Sequence, residues 1–100
     1  MPDPTLKPQM RVRRIDNVLD ADIDDETVVM DIDQGRYFGF NETGTRIWSL
    51  LAQPIVIRDL CDQLTAEFDV PPDQCEQQVF AFLESLLTRG LLQVMTDETS

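Results

Sequence analysis

The sequence predicts an α+β domain in which a three-stranded antiparallel sheet is followed by three helices packed on one of its faces. Three observations point there. Up to Phe40, apolar and polar residues alternate in short runs, the period of two that a half-buried strand requires. Beyond Asn41, apolar residues recur at three- and four-residue spacing, as amphipathic helices require. Between the two regimes, Asp31-Ile-Asp-Gln-Gly-Arg-Tyr-Phe-Gly-Phe-Asn-Glu-Thr-Gly44 holds a turn, a short aromatic strand and the start of a helix.

Residues 1–9 carry three of the six prolines and are expected to form a loose arm, with the domain spanning 10–95 and a frayed tail at 96–100. Met10, Val12 and Ile15 alternate with arginines and predict a first strand. The segment Asp16 to Asp25 holds five aspartates and reads as a connecting loop. From Glu26 to Ile32 the alternation predicts a second strand, with Val28, Met30 and Ile32 on one face and Thr27, Val29 and Asp31 on the other. The turn at Asp33 to Gly35 returns the chain into a third strand, Arg36 to Phe40. There Phe38 and Phe40 share a face assigned to the core, and Tyr37 and Gly39 share the opposite one. A mid-strand glycine weakens a strand but lets another backbone approach, which marks Gly39 as a binding feature.

Asn41 is placed to cap the first helix, expected over Glu42 to Ala52, with Glu42 favoured by the helix dipole. Gly44 lies inside its first turn, where glycine costs about 1 kcal/mol against alanine. That cost predicts close packing by another backbone. Ile57, Leu60, Cys61, Leu64 and Phe68 form one stripe of a second helix over Ile57 to Phe68, although Val56 is a poor cap. The third helix should run from Pro72 or Asp73 to Arg89 and close at Gly90. Its apolar face is too wide for a single core: Cys75, Val79, Phe82 and Leu86 lie on one side, and Phe80, Leu83 and Leu87 extend it. The excess predicts a second apolar surface, and the helical wheel leaves open which edge of the stripe faces the core. Leu91, Leu92 and Val94 extend briefly as a strand.

The composition excludes several functions. A formal net charge of −11, from 19 acidic and 8 basic residues, opposes binding through phosphates. A DNA-binding regulator would need a basic recognition helix, and the third helix carries Asp73, Glu76 and Glu84. Without histidine, no Ser-His or Cys-His nucleophile pair can form. Cys61 and Cys75 lack zinc-binding spacing and read as buried free thiols rather than a disulfide, and with no signal-like start the chain is expected in the cytoplasm. No segment is long and apolar enough to span a membrane. No cofactor or metal is expected, and the chain is not expected to be an enzyme. What remains is an interaction protein whose third strand leaves an unpaired edge. Such an edge also permits strand-mediated dimers, so the expectation is a monomer or a weak dimer.

The run Gly35-Arg-Tyr-Phe-Gly-Phe-Asn-Glu-Thr-Gly44, followed by Ile47-Trp48 and Leu50-Leu51, resembles the PqqD-like domains. So do the segment Leu60 to Val70 and Val79-Phe-Ala-Phe-Leu-Glu-Ser-Leu-Leu with Gly90-Leu91. The resemblance implies a winged-helix-like fold and a recognition element for ribosomally made, post-translationally modified peptides. It further implies that a precursor's leader segment adds as a strand to Arg36, Tyr37, Phe38, Gly39 and Phe40, an augmentation in which backbone bonds give affinity and pockets give specificity. Leader side chains would then enter a cleft against the third helix, at Cys75, Val79, Phe82, Leu83 and Leu86. The Tyr-Phe-Gly-Phe-Asn-Glu-Thr-Gly form is most similar to the stand-alone proteins of lasso-peptide pathways. That likeness implies a leader peptidase and an ATP-dependent cyclase as further partners. The pyrroloquinoline-quinone precursor chaperone ranks second.

Overall fold

The computed structural model describes residues 6–24 and 26–95. In chain order the elements are β1 (Arg11–Arg14), β2 (Val18–Ile23), β3 (Glu26–Asp31), β4 (Arg36–Phe40), α1 (Glu42–Leu50), β5 (Ile55–Val56), α2 (Ile57–Phe68), α3 (Pro72–Thr88) and β6 (Leu92–Met95). They form two antiparallel sheets, one ordered β2-β3-β4 and the other β5-β1-β6. The α+β architecture with three helices is as expected, but the sheet is recruited differently. β1 does not join the hairpin β3-β4; it pairs with β5 and β6. The aspartate-rich segment read as a loop supplies β2 instead, in continuous register from Val18 opposite Asp31 to Ile23 opposite Glu26.

Aspartate is depleted in strands, which made β2 look like a loop. Tertiary bonds stabilise its aspartates here. The Thr27 hydroxyl donates to Asp22 at 2.9 Å, and Trp48 Nε1 donates to Asp20 at 3.0 Å. Arg14 reaches Asp20 at 3.3 Å while its guanidinium lies 5.2 Å above the Trp48 ring. Across β3, Thr27, Val29 and Asp31 point inward and are buried, whereas Val28 and Met30 lie on the outer face. Asp31 is tolerated inside because its carboxylate accepts the amides of Asp33 and Gln34, which holds the hairpin turn.

Each helix end has a local cause. Asn41 caps α1, its side chain accepting from the Gly44 amide at 2.9 Å. Val56 offers α2 no side-chain cap. The carbonyls of Met10 and Pro8 take over that task, accepting from the amides of Ile57 and Arg58 at 2.9 Å each. The arm expected over residues 1–9 is therefore packed from Leu6 onward: Leu6 is buried and Pro8 caps a helix. Residues 1–5 and the tail 96–100 lie outside the described residues. α3 ends in a Schellman arrangement, with Leu91 donating to Leu86 at 2.8 Å, Gly90 donating to Leu87 at 3.1 Å, and Gly90 at φ +76°. The core lies where α1, α2 and α3 meet, around Trp48, Leu51, Leu60, Leu64, Leu83 and Leu86.

Candidate functional site

β4 is an edge strand, and its backbone groups divide cleanly between its two sides. Residues of an antiparallel pair alternate between facing the neighbour and facing away. Ile32 donates its amide to Asn17 at 3.4 Å, so the even-numbered residues of β3 turn toward β2. The Asp31 carbonyl accepts from Gly35 at 2.7 Å, so the odd-numbered ones turn toward β4. Asp31, Val29 and Thr27 stand opposite Arg36, Phe38 and Phe40. The amides and carbonyls of Tyr37 and Gly39 therefore face the open edge.

Side chains on β4 divide just as cleanly. Phe40 is buried and Phe38 half-buried on the inner face; Tyr37 is 71% exposed on the outer one. α3 passes along the inner face and contributes one stripe at four-, three- and four-residue steps: Gln78, Phe82, Ser85 and Arg89. Phe82 meets Phe40 edge-to-face, with ring centroids 5.1 Å apart at 77°. The Arg89 guanidinium lies 4.9 Å from the Phe38 ring centroid. These two contacts span the seam between strand edge and helix, which is the candidate cleft. Near the start of α3 lies a small cavity of about 150 Å³, lined by Thr43, Leu64, Phe68, Val70, Gln78 and Val79, with Cys75 at its wall.

The predicted site residues separate into two groups. Arg36 to Phe40 and Phe82 lie along the strand edge and its seam with α3, while Cys75 and Val79 line the cavity near the start of that helix. Leu83 and Leu86 are 0% exposed in the core, and Val79 at 1% and Cys75 at 3% are nearly as buried, although these two also line the cavity. Of the over-wide helical stripe, Phe82 is the flank turned to β4, and Phe80 and Leu87 form the opposite, half-buried flank. Gly44 is tightly packed as expected, but by side chains: a Cβ there would stand 3.0 Å from the Phe82 ring and 3.1 Å from Phe40 Cβ. Sequence reasoning missed Thr43, Phe68, Val70, Gln78 and Arg89. For Gln78 and Arg89 the signal was available, since both continue the helical row of Phe82.

A larger recess of about 630 Å³ lies behind β2, lined by Asp20, Asp22, Asp24, Glu26, Glu42, Arg14 and Arg46 among others. Its acidic wall differs from the apolar β4 cleft, and β2 guards its own edge with the inward carboxylates of Asp20 and Asp22. Among the described residues no group of three metal-ligating side chains comes together. Both cysteines are free and buried. Burial, then the nearby Cys75, Glu76 and Asp62, push the Cys61 thiol up to about 11, so it is protonated and unreactive near neutral pH. Among the described residues no helix is long and apolar enough to cross a membrane.

The sequence profile of the family described as coenzyme PQQ synthesis protein D (PqqD) matches residues 26–92, which include β3, β4 and all three helices. The chain belongs to the PqqD family. Two solved structures share its fold. TbiB1 in complex with the TbiA(beta) leader peptide is 35% identical, with a TM-score of 0.76, covering 85% of this chain and 99% of that one. A lasso peptide synthetase B1 complexed with the leader peptide is 26% identical, with a TM-score of 0.72, covering 82% of this chain and 96% of that one. No curated protein matches the chain significantly. This PqqD-family chain thus has an open strand edge beside the aromatic seam with α3, and structural neighbours solved with leader peptides.

Proposed function

We propose that the protein is a non-catalytic recognition element that binds the leader segment of a ribosomally made precursor peptide. The leader adds as a strand to the open edge of β4, bonding to the backbone of Tyr37 and Gly39. Its inward side chains enter the cleft at Phe38 and Phe82, and one apolar side chain fills the cavity beside Val79 and Cys75. The protein then delivers the bound precursor, in the cytoplasm, to a leader peptidase and an ATP-dependent cyclase of a lasso-peptide pathway.

The observation that carries this reading is the pairing of an unguarded apolar edge with a helix held one side chain away from it. Two leader complexes among its structural relatives support it. Magnitudes agree. Burying one large apolar side chain contributes about 1.5 to 3 kcal/mol, and micromolar affinity needs about −8 kcal/mol. Two or three anchors together with strand bonds reach that value, and one anchor does not.

Calorimetric titration with the synthetic leader of the precursor encoded beside this chain tests the reading. Micromolar binding that Phe82→Ala weakens at least tenfold supports it, and no binding at millimolar leader overturns it. A pyrroloquinoline-quinone precursor in place of a lasso precursor would bind the same edge, so titrating both leaders decides between the pathways. Duplex DNA should not bind even at low salt, because the helical half of the chain is acidic. Precursor incubated with the protein alone should keep its mass.

A further inference from the structure

The outer face of the β2-β3-β4 sheet is apolar, and among the described residues nothing covers it. Pairing places Leu19 beside Met30 and Tyr37, and Ala21 beside Val28 and Gly39, with Ile23 next to Glu26 at the end of the face. Leu19 is 60% exposed, Ile23 57% and Tyr37 71%. Single exposed apolar residues are ordinary on any protein. A patch continuous across three paired strands is not, and such patches mark contact surfaces. No described helix covers this face: α1 packs against β3 and β4, and α3 meets Phe38 and Phe40, both from the inner side.

We propose that this outer face docks the leader-processing enzyme, through a contact patch on that enzyme that is apolar and rimmed by lysine and arginine. The proposal rests on the leader-binding reading and adds to it the surface that the processing enzyme recognises. Two observations select this occupant. First, Asp20, Asp22 and Asp31 turn to the inner side, but Asp16, Asp24, Glu26 and Asp33 stand at the ends of the outer face, and Arg36 is the only base in residues 16–40. A second copy of the chain would bring the same negative rim and be repelled, whereas a basic rim is attracted. Second, the face runs without a break to Tyr37 on β4. A leader strand added there would place its alternate side chains on this same outer surface. An enzyme docked on the face would touch protein and leader at once, and so distinguish the loaded complex from the empty protein.

The test uses the full chain, the synthetic leader and the purified leader peptidase encoded beside the precursor. Leu19→Thr combined with Ile23→Thr removes the apolar centre on β2, far from the leader edge, and leaves β-branched residues at both positions to sustain the strand. Interferometry with immobilised chain–leader complex is expected to show at least tenfold weaker peptidase binding for the double variant. Leader affinity measured by calorimetry should stay within twofold. Glu26→Lys, which reverses one rim charge, should weaken peptidase binding severalfold in a salt-dependent manner, and serves as a second probe if the double variant is poorly folded. Peptidase binding unchanged in both variants overturns the proposal. So does sedimentation showing that the double variant only dissolves a dimer of this chain, which would assign the face to self-association. Failure of the wild-type protein to bind leader overturns the underlying reading instead, and the calorimetry reports that separately.

Discussion

Phe82 on α3 and Phe40 on β4 meet edge-to-face at 5.1 Å, and the glycine at position 44 leaves the room for them to do so. Aromatic pairs in this geometry contribute about 0.5 to 1.5 kcal/mol beyond their buried area. The contact ties the only unguarded edge of the hairpin sheet, among the described residues, to the helix that faces it. Edge, cleft and helix start are therefore one mechanical unit.

Gly44→Ala tests that unit. The added methyl improves helix propensity by up to about 1 kcal/mol, but it stands 3.0 Å from Phe82 and 3.1 Å from Phe40. Overpacking costs about 1 to 3 kcal/mol and should win. A lower melting temperature is expected, together with weaker leader binding, because Phe82 must move into the cleft to make room. A variant at least as stable as the wild type would show that the helix and the strand are not packed as described.

Gly39→Pro removes an amide that faces the open edge and bonds to nothing within the sheet. Proline is tolerated at such edge positions, so circular dichroism should report an intact fold. Leader binding should fall at least tenfold by calorimetry, with Gln63→Ala on the exposed face of α2 as an unaffected control. Equal binding by the proline variant would mean that the leader does not add to β4.

Phe82→Ala and Leu83→Ala are neighbours in sequence and should behave oppositely. Leu83 is fully buried, and its truncation should cost about 2 to 5 kcal/mol of stability. Phe82 is half-buried at the cleft, so its truncation should affect stability less and leader affinity more. Denaturant melts paired with calorimetry separate the two effects.

Arg46 on α1 donates two hydrogen bonds to Glu67 on α2, at 2.8 and 2.7 Å. Those bonds hold the Glu67 carboxyl below the usual carboxylate range and raise the Arg46 guanidinium. A carboxyl depressed in the fold adds stability above its unfolded value and loses it as pH falls through its folded value. Both groups are largely solvated, so the contribution is about 1 kcal/mol or less. Glu67→Gln should lower stability slightly at pH 7 and leave it unchanged at acidic pH, where the wild-type carboxyl is already protonated.

Cys61 titrates in the other direction. Its thiol is raised to about 11 by burial, so folding favours the protonated form, and that advantage is lost as pH rises from the ordinary thiol range toward the folded value. Iodoacetamide should label the native protein slowly at pH 8 and the denatured protein quickly. Rapid labelling of native Cys61 would show that the α2–α3 interface is open to solvent.

Local chemistry determined much of this protein without tertiary help. Asn41 and Gly90 act through bonds within a turn of their own positions, so cap and stop were legible from residue type and spacing. The hairpin β3-β4 was legible for the same reason, since its turn and its two strands are contiguous. The stripe of α2 was legible because a helix shows its buried face at fixed intervals. Three things were decided only by distant partners. β2 exists because Trp48, Arg14 and Thr27 satisfy aspartates that local propensity would leave in a loop. β1 joins β5 and β6 because strand pairing over long separations leaves no mark in either segment alone. On α3, periodicity placed Phe82, Leu83 and Leu86 in one wide stripe, and only packing against α1, α2 and β4 buried the leucines and left Phe82 at the cleft. Alternation along a strand or helix tells which residues share a face, but the surface that each face meets is a property of the assembled fold.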